Sequence, residues 1–211
     1  MTSDEQVTSD EGGGVPVVNI VGERVALGPL TRDLVPALAR WHNDFHVQRT
    51  YGDLPRPLTI EAETARYERK AVATDAYWFA IRERATGRAI GQTDLFDIDW
   101  RGRTATFGIL IGEADCRGRG YGTEAARLML DYAFTALGLH SVMLMTDEFN
   151  LAGQRAYRKA GFKEFGRRRQ CSFLAGRLWD LIYMDCLATE FTSPVLGRVF
   201  VPDEARRGPG G

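Results

Sequence analysis

The chain has 211 residues, of which 44% are hydrophobic and 26% charged, with a formal net charge of −1. That length suits one domain with ample apolar material for a core, and the near-zero charge offers no general attraction to nucleic acid or an anionic membrane. No apolar run approaches the ~20 residues of a spanning helix, and the acidic N-terminus lacks a basic-then-apolar signal, so a cytoplasmic protein is expected.

Residues 1–16 carry Thr, Ser, Asp, Glu and a run of Gly and read as a disordered leader. Glu23 to Pro29 reads as a first strand. Thr31 to Phe45 reads as a helix with Asp33 near its start and Leu34, Leu38 and Trp41 on its apolar face. A second helix is predicted over Thr59 to Val72, opening with Thr59 and Glu61 and burying Ile60, Thr64, Tyr67 and Ala71. Tyr77 to Arg82, Ala89 to Ile98 and Arg103 to Ile111 read as an antiparallel meander, with turns at Ala85-Thr86-Gly87 and Trp100-Arg101-Gly102. A long amphipathic helix is predicted from Thr123 to Leu137, with Ala125, Leu128, Met129, Tyr132 and Ala133 at helical spacing. Ser141 to Met145 reads as a strand. Lys163 to Phe173 and Arg177 to Leu187 form the last strand pair, turning at Ala175-Gly176. Residues 189–211 form an extension. Its apolar part, Val195-Leu196 and Val199-Phe200-Val201, suits either the domain's own surface or a homodimer contact, the latter preferred.

The most informative segment is Arg117-Gly118-Arg119-Gly120-Tyr121-Gly122, between Ile109-Leu110-Ile111 and the helix starting at Thr123. Alternating glycines let backbone N–H groups turn inward without Cβ obstruction. The helix start adds unpaired amides and the positive end of its dipole, together a seat for phosphate or pyrophosphate. A dinucleotide fingerprint would need Gly where Thr123 stands, and a P-loop would need Lys where Gly122 stands. A ligand-free strand-to-helix turn is the plainer alternative. Arg117 and Arg119 weigh against it, because guanidinium groups suit phosphate oxygens.

After that helix and strand comes Asn150-Leu151-Ala152-Gly153-Gln154-Arg155-Ala156-Tyr157, followed by Gly161-Phe162. Arg-x-x-Gly-x-Gly, a helix, a strand, and then Asn with Tyr seven residues later resembles the GNAT superfamily of acyl-CoA-dependent N-acyltransferases. The branch in view contains ribosomal-protein N-terminal, spermidine and antibiotic acetyltransferases. The resemblance spans roughly residues 20 to 188. It implies a single-domain α/β fold: a mixed, mostly antiparallel sheet with a splayed central strand pair and helices on both faces.

It further implies that acetyl-CoA, or another short acyl-CoA, binds as co-substrate. Pantetheine would pair with the freed backbone of Ile109, Leu110 and Ile111, and a backbone N–H near Leu110 or Ile111 would polarise the thioester carbonyl. The pyrophosphate would sit over Gly118, Arg119, Gly120, Tyr121, Gly122 and Thr123, with Arg117 as a charge partner. Asn150 matches the position that hydrogen-bonds the pantetheine arm; its plainer role, a helix N-cap, is compatible. Tyr157 matches the position that hydrogen-bonds or protonates the leaving thiolate. The reaction implied is direct attack by a primary amine of a small molecule or peptide N-terminus, without an acyl-enzyme. A non-catalytic acyl-CoA sensor and acylation of a hydroxyl are the rival readings.

Attack on a thioester requires a neutral amine, so a carboxylate is sought. Many relatives carry Glu where this chain has Thr106. The substitutes are Asp94, Asp97, Asp99, Glu113 and Asp44, with Asp97 and Asp99 on one strand face by alternation. Trp41 and Asp44, near the loop 50–57, are the remaining acceptor-site candidates, and a core position is the plainer reading of Trp41. His42, His46 and His140 have no metal-ligand spacing, and Cys116, Cys171 and Cys186 form no CxxC pair, so no metal is expected. Cys171 and Cys186 read as buried hydrophobes. Cys116 adjoins the loop with no His nearby in sequence to activate it.

Overall fold

The computed structural model describes residues 16–52 and 55–203. Eight strands form one sheet: β1 Ile20–Val21, β2 Val25–Pro29, β3 Tyr77–Glu83, β4 Ala89–Asp99, β5 Thr104–Ile111, β6 Ser141–Asp147, β7 Lys163–Leu174 and β8 Arg177–Leu187, in the order β1-β2-β3-β4-β5-β6-β8-β7. Every neighbouring pair is antiparallel except β5 and β6. These two are joined by a helical crossover, the connection a parallel pair requires. They pair only at Thr104–Ser141, Ala105–Val142 and Thr106–Met143. Beyond Thr106, β5 continues against β4 to Ile111 while β6 continues against β8 to Asp147. The sheet is therefore splayed at its centre, as the resemblance implied.

Alternate residues of the sheet feed two cores. Leu27, Ile81 and Phe107 pack with Ala125, Leu128 and Met129 of helix α4 (Tyr121–Asp131), while Ala80 and Leu110 pack with Leu34, Leu38 and Trp41 on the opposite face. Leu128 and Met129 are almost wholly buried, each stabilising the fold by ~1.5–3 kcal/mol relative to exposure. Helix α5 (Leu151–Ala160) follows β6.

The helix expected over Thr31 to Phe45 is broken. A 3-10 turn at Arg32–Leu34 leads into α1 (Val35–Asn43), and α2 (Phe45–Gln48) starts afresh after Asp44. Asp44 is extended, and its carboxylate accepts the His46 N–H at 2.8 Å; a short acidic side chain competes with helix continuation in this way. Helix α3 (Ile60–Val72) begins at Thr59 as expected, with its hydroxyl accepting the Ala62 N–H at 3.2 Å. Its predicted face is corrected: Ile60 and Ala71 are exposed, and Glu63 is the residue turned inward. Helix α4 starts two residues before Thr123, because Gly120 at φ 84° caps it, and it ends in a π turn over Tyr132–Ala136. The hairpin at Ala175 (φ 52°) and Gly176 (φ 77°) falls where predicted. Cys171 is exposed rather than buried.

Residues 1–15 of the expected leader, 53–54 of the acceptor loop and 204–211 of the extension lie outside the described residues. Within the extension, the Asp131 carboxylate accepts the N–H groups of Val195 (2.9 Å) and Leu196 (2.8 Å), and Leu196 enters the core. This part covers the domain's own surface, whereas Val199, Phe200 and Val201 stay exposed.

Candidate active site

The splay opens a pocket of about 470 Å³. One wall is Ile109, Leu110 and Ile111, the β5 residues that β6 has left without a ladder partner. The opposite wall is α5, with Asn150, Gly153, Ala156 and Tyr157. Gly118, Gly120, Gly122 and Thr123 close one end. Gly118 (φ 73°) and Gly120 (φ 84°) hold left-handed conformations that a Cβ would strain. No side chain caps α4, so the N–H groups at its start remain available to an anion. Arg155 and Lys159, one turn apart on α5, and Arg49 after α2 add positive charge to the rim. Freed strand backbone, uncapped helix amides and a cationic rim fit an acyl-CoA.

The loop's larger side chains serve the loop itself. Arg117 Nε donates to the Ile111 carbonyl (3.2 Å), and its Nη2 donates to the Gly112 carbonyl (2.7 Å) and to Asp44 Oδ2 (3.2 Å). Arg119 pairs with Glu83 at 3.7 Å and lies over the Tyr121 ring. Tyr121 is buried and donates its hydroxyl to Glu83 at 2.7 Å. Neither Arg119 nor Tyr121 lines the pocket with its side chain, which leaves backbone amides as their means of holding phosphate.

Asn150 caps α5: its Oδ1 accepts the Gly153 N–H at 3.0 Å, and its Nδ2 donates to Thr146 at 3.2 Å. Tyr157 faces the pocket from between the Phe107 and Phe162 rings. Burial pushes its phenol up to about 12, so it stays protonated at neutral pH.

None of the acceptor-site candidates Trp41, Asp44, Asp97 and Asp99 lines the pocket. Trp41 is buried, donates Nε1–H to Glu113 at 2.8 Å, and packs where a Gly112 side chain would stand. Burial pushes the Asp44 carboxyl up, but the His46 N–H and the Arg117 guanidinium outweigh it and hold the group below its ordinary value. Such a carboxylate is a poor proton acceptor. Glu113 is likewise held down by Trp41 and Arg40 against a burial that raises it. Asp97 and Asp99 sit exposed at the hairpin end of β4, outside the pocket. Asp97 is left-handed (φ 50°) and the ladder shifts register between Phe96 and Asp99, so strand alternation fails there. Cys116 touches the pocket, but burial raises its thiol above an ordinary cysteine's, the opposite of the shift that activates a nucleophile.

Sequence reasoning missed a second polar group. His42 Nδ1 lies 2.9 Å from Glu63 Oε2, both side chains fully buried. Gln92 Nε2 lies 3.3 Å from His42 Nε2 and donates to the Tyr51 hydroxyl at 2.9 Å; Tyr51 in turn lines the pocket. Arg155 and Lys159 were also missed, although their one-turn spacing after Asn150 is a readable signal.

A protein-family description, "Acetyltransferase (GNAT) domain", matches residues 24–163. Spermidine N(1)-acetyltransferase of Escherichia coli K12 is 29% identical over 160 residues, covering 76% of this chain and 84% of that one. A probable N-acetyltransferase, YjcK, of Bacillus subtilis is 36% identical over 127 residues, covering 58% and 68%. Among solved structures, spermidine N-acetyltransferase from Vibrio cholerae in complex with CoA and spermine superposes with a TM-score of 0.73 at 23% identity, covering 79% of this chain and 97% of that one.

Proposed function

Because the chain belongs to the GNAT acetyltransferase family, with acetyl-CoA as its acyl donor, we propose that it acetylates a primary amine of a small molecule by direct attack within a ternary complex. The observation that carries this is the splay itself: Tyr157 and the freed backbone of Ile109–Ile111 face one another across a single pocket. The backbone groups of Ile109–Ile111 that face away from β4, apart from the Ile111 carbonyl met by Arg117, need partners, and a pantetheine amide supplies them in the manner of an added strand. The amides of Gly120–Thr123 suit the pyrophosphate, with Arg155 and Lys159 as outer charge partners. The small-amine preference draws support from relatives named for spermidine. A peptide N-terminus remains the second acceptor class for the same chemistry.

Magnitudes narrow the role of Tyr157. A thiol has a pKa near ~8.5, whereas this phenol lies at about 12. Outright transfer of its proton to a thiolate is then uphill by roughly 5 kcal/mol. Tyr157 therefore acts by hydrogen bonding to sulfur as charge develops there, the contribution expected of a fixed donor in a dry site.

Among the described residues no helix is long and apolar enough to cross a membrane; a cytoplasmic enzyme is in keeping with this. Exposed Val199, Phe200 and Val201 support a homodimer contact, for which sedimentation of the wild-type chain and of a Phe200→Asp variant is the test.

Calorimetry with CoA and acetyl-CoA, followed by thiol release across an amine panel, tests the function. Tight binding with amine-dependent release is expected. Binding without release from any amine would favour a sensing module, and absence of binding would overturn the reading altogether.

A further inference from the structure

We propose that Asp94 is the general base of the transfer, accepting the acceptor amine's proton directly or through one water from the buried polar cluster between the sheet, α1 and α3. This rests on the amine-acetylation reading above.

The register places Asp94 at the level where the sheet parts. It sits opposite Gly108, two residues beyond Thr106, the last residue of β5 paired with β6, and one before Ile109, the first to line the pocket. A Cβ on Gly108 would stand 2.8 Å from Asp94 Oδ1 and 3.1 Å from Oδ2. The carboxylate thus lies over the β5 backbone in space that a side chain on Gly108 would take, beside the strand that borders the pocket.

Its surroundings are not those of a structural carboxylate. Asp94 is 4% exposed, and carboxylates so deep are normally locked by an ion pair and several hydrogen bonds. Among the described residues none reaches it, and the cation acting on it is Lys70 of α3. Lys70 Nζ stands 4.0 Å from the centre of the Trp78 ring and 3.2 Å from Gln92 Oε1. Trp78 and Gln92 share a sheet face with Asp94 by register. Among the described residues, the other titratable groups in this cluster are Glu63 of α3, His42 of α1 and Tyr51 after α2, joined through Gln92. Tyr51, which accepts from Gln92, and Leu110, opposite Gln92 in the ladder, both line the pocket, so the cluster lies directly behind the pocket wall. Burial pushes the Asp94 carboxyl up to about 7, with Lys70 opposing. A carboxylate poised there exchanges protons at neutral pH.

The step balances. An alkylammonium gives one proton to Asp94. The neutral nitrogen attacks the thioester carbon, the C–N bond forms, and the C–S bond breaks with its electron pair going to sulfur. The nitrogen's second proton passes to the thiolate held by Tyr157, and Asp94 returns its proton to water.

The test is the amine-dependent thiol-release assay on wild type and Asp94→Asn, with acetyl-CoA binding followed by calorimetry. A fall of about 100-fold in kcat/KM for an alkyl amine is expected, within the range for a lost general base. Acetyl-CoA affinity should hold, and the acidic limb near pH 7 should vanish. An acceptor with an α-amino group, whose pKa is about 7.7–8.0, should lose less than an alkyl amine near ~10.4, because more of it is already neutral. Retention of wild-type rate and limb by a variant that binds acetyl-CoA would overturn the proposal. If Asp94→Asn fails to fold, Lys70→Met decides: removing the cation should move the acidic limb to higher pH, and an unmoved limb would refute it. Wild type that releases no thiol with any amine would instead refute the amine-acetylation reading.

Discussion

Gly108 and Asp94 are complementary across the β4–β5 ladder: the carboxylate of one stands 2.8 Å from where a side chain on the other would begin. The contact is with a carboxylate oxygen rather than backbone, so Gly108→Ala should displace the Asp94 side chain and leave the strands in place. We expect a stability loss of about 1–3 kcal/mol from overpacking and a fall in turnover without loss of acetyl-CoA affinity. Urea unfolding and the thiol-release assay check both parts.

The same carboxylate should make stability depend on pH. Its folded value, about 7, lies above the ordinary 3.8, so folding favours the protonated form. The stabilisation is fully present below about pH 4 and is lost as pH rises through 7. The gap of about three units is worth on the order of 4 kcal/mol. Asp94→Asn removes this dependence and should be the more stable protein at pH 8, with the difference closing towards pH 5. Urea midpoints at the two pH values are the measurement. A protein that gives up stability to keep an ionisable group dry is behaving as functional sites do.

Tyr157→Phe keeps the ring between Phe107 and Phe162 and deletes only the hydroxyl. Turnover should drop about 100- to 1000-fold with little change in CoA affinity, the cost of losing one donor to developing charge. Because the phenol titrates near 12, the wild-type rate should show no basic limb from this residue between pH 7 and 10. Steady-state kinetics across that range provide the check.

Glu63→Ala strips His42 of its partner at a site where both side chains are fully buried. A loss of about 3 kcal/mol is expected, since the imidazole is left with an unmet hydrogen bond in the core. Glu63→Gln, which retains an acceptor oxygen, should cost less. Thermal melts of the two variants distinguish a hydrogen bond from simple packing.

What the sequence made legible was whatever is local. The glycine spacing of 118–122, the 3.6-residue period of α4 and the Ala175-Gly176 hairpin are each written within a dozen residues, and each was found. The order of loop, helix, strand and Asn-to-Tyr spacing also carried the splayed sheet. The misses were long-range. Helix α3 turns Glu63 inward because His42, twenty-one residues earlier, meets it there, and no periodicity encodes that. Trp41 and Asp44 look like pocket residues until Glu113 and Arg117 are seen to occupy their polar atoms. Asp94 is one carboxylate among several in the sequence, and its burial opposite Gly108 sets it apart from the exposed Asp97 and Asp99.

Arg155 and Lys159 offer the most direct check on where the cofactor's phosphates lie. Both are exposed on the pocket side of α5, one helical turn apart, and neither has a carboxylate within ion-pair range among the described residues. A cation without an internal partner contributes little to the fold, so Arg155→Ala and Lys159→Ala should leave the melting temperature unchanged. A solvent-exposed ion pair is worth ~0.2–1 kcal/mol, which predicts a Kd for CoA weaker by up to about 5-fold. The loss should shrink in high salt, where exposed charges are screened. Dephospho-CoA separates the two halves of the cofactor: a variant whose defect disappears with that analogue contacts the ribose phosphate, and one whose defect persists contacts the pyrophosphate. Wild-type CoA affinity in both variants at low salt would place the phosphates away from α5, over the glycine loop alone.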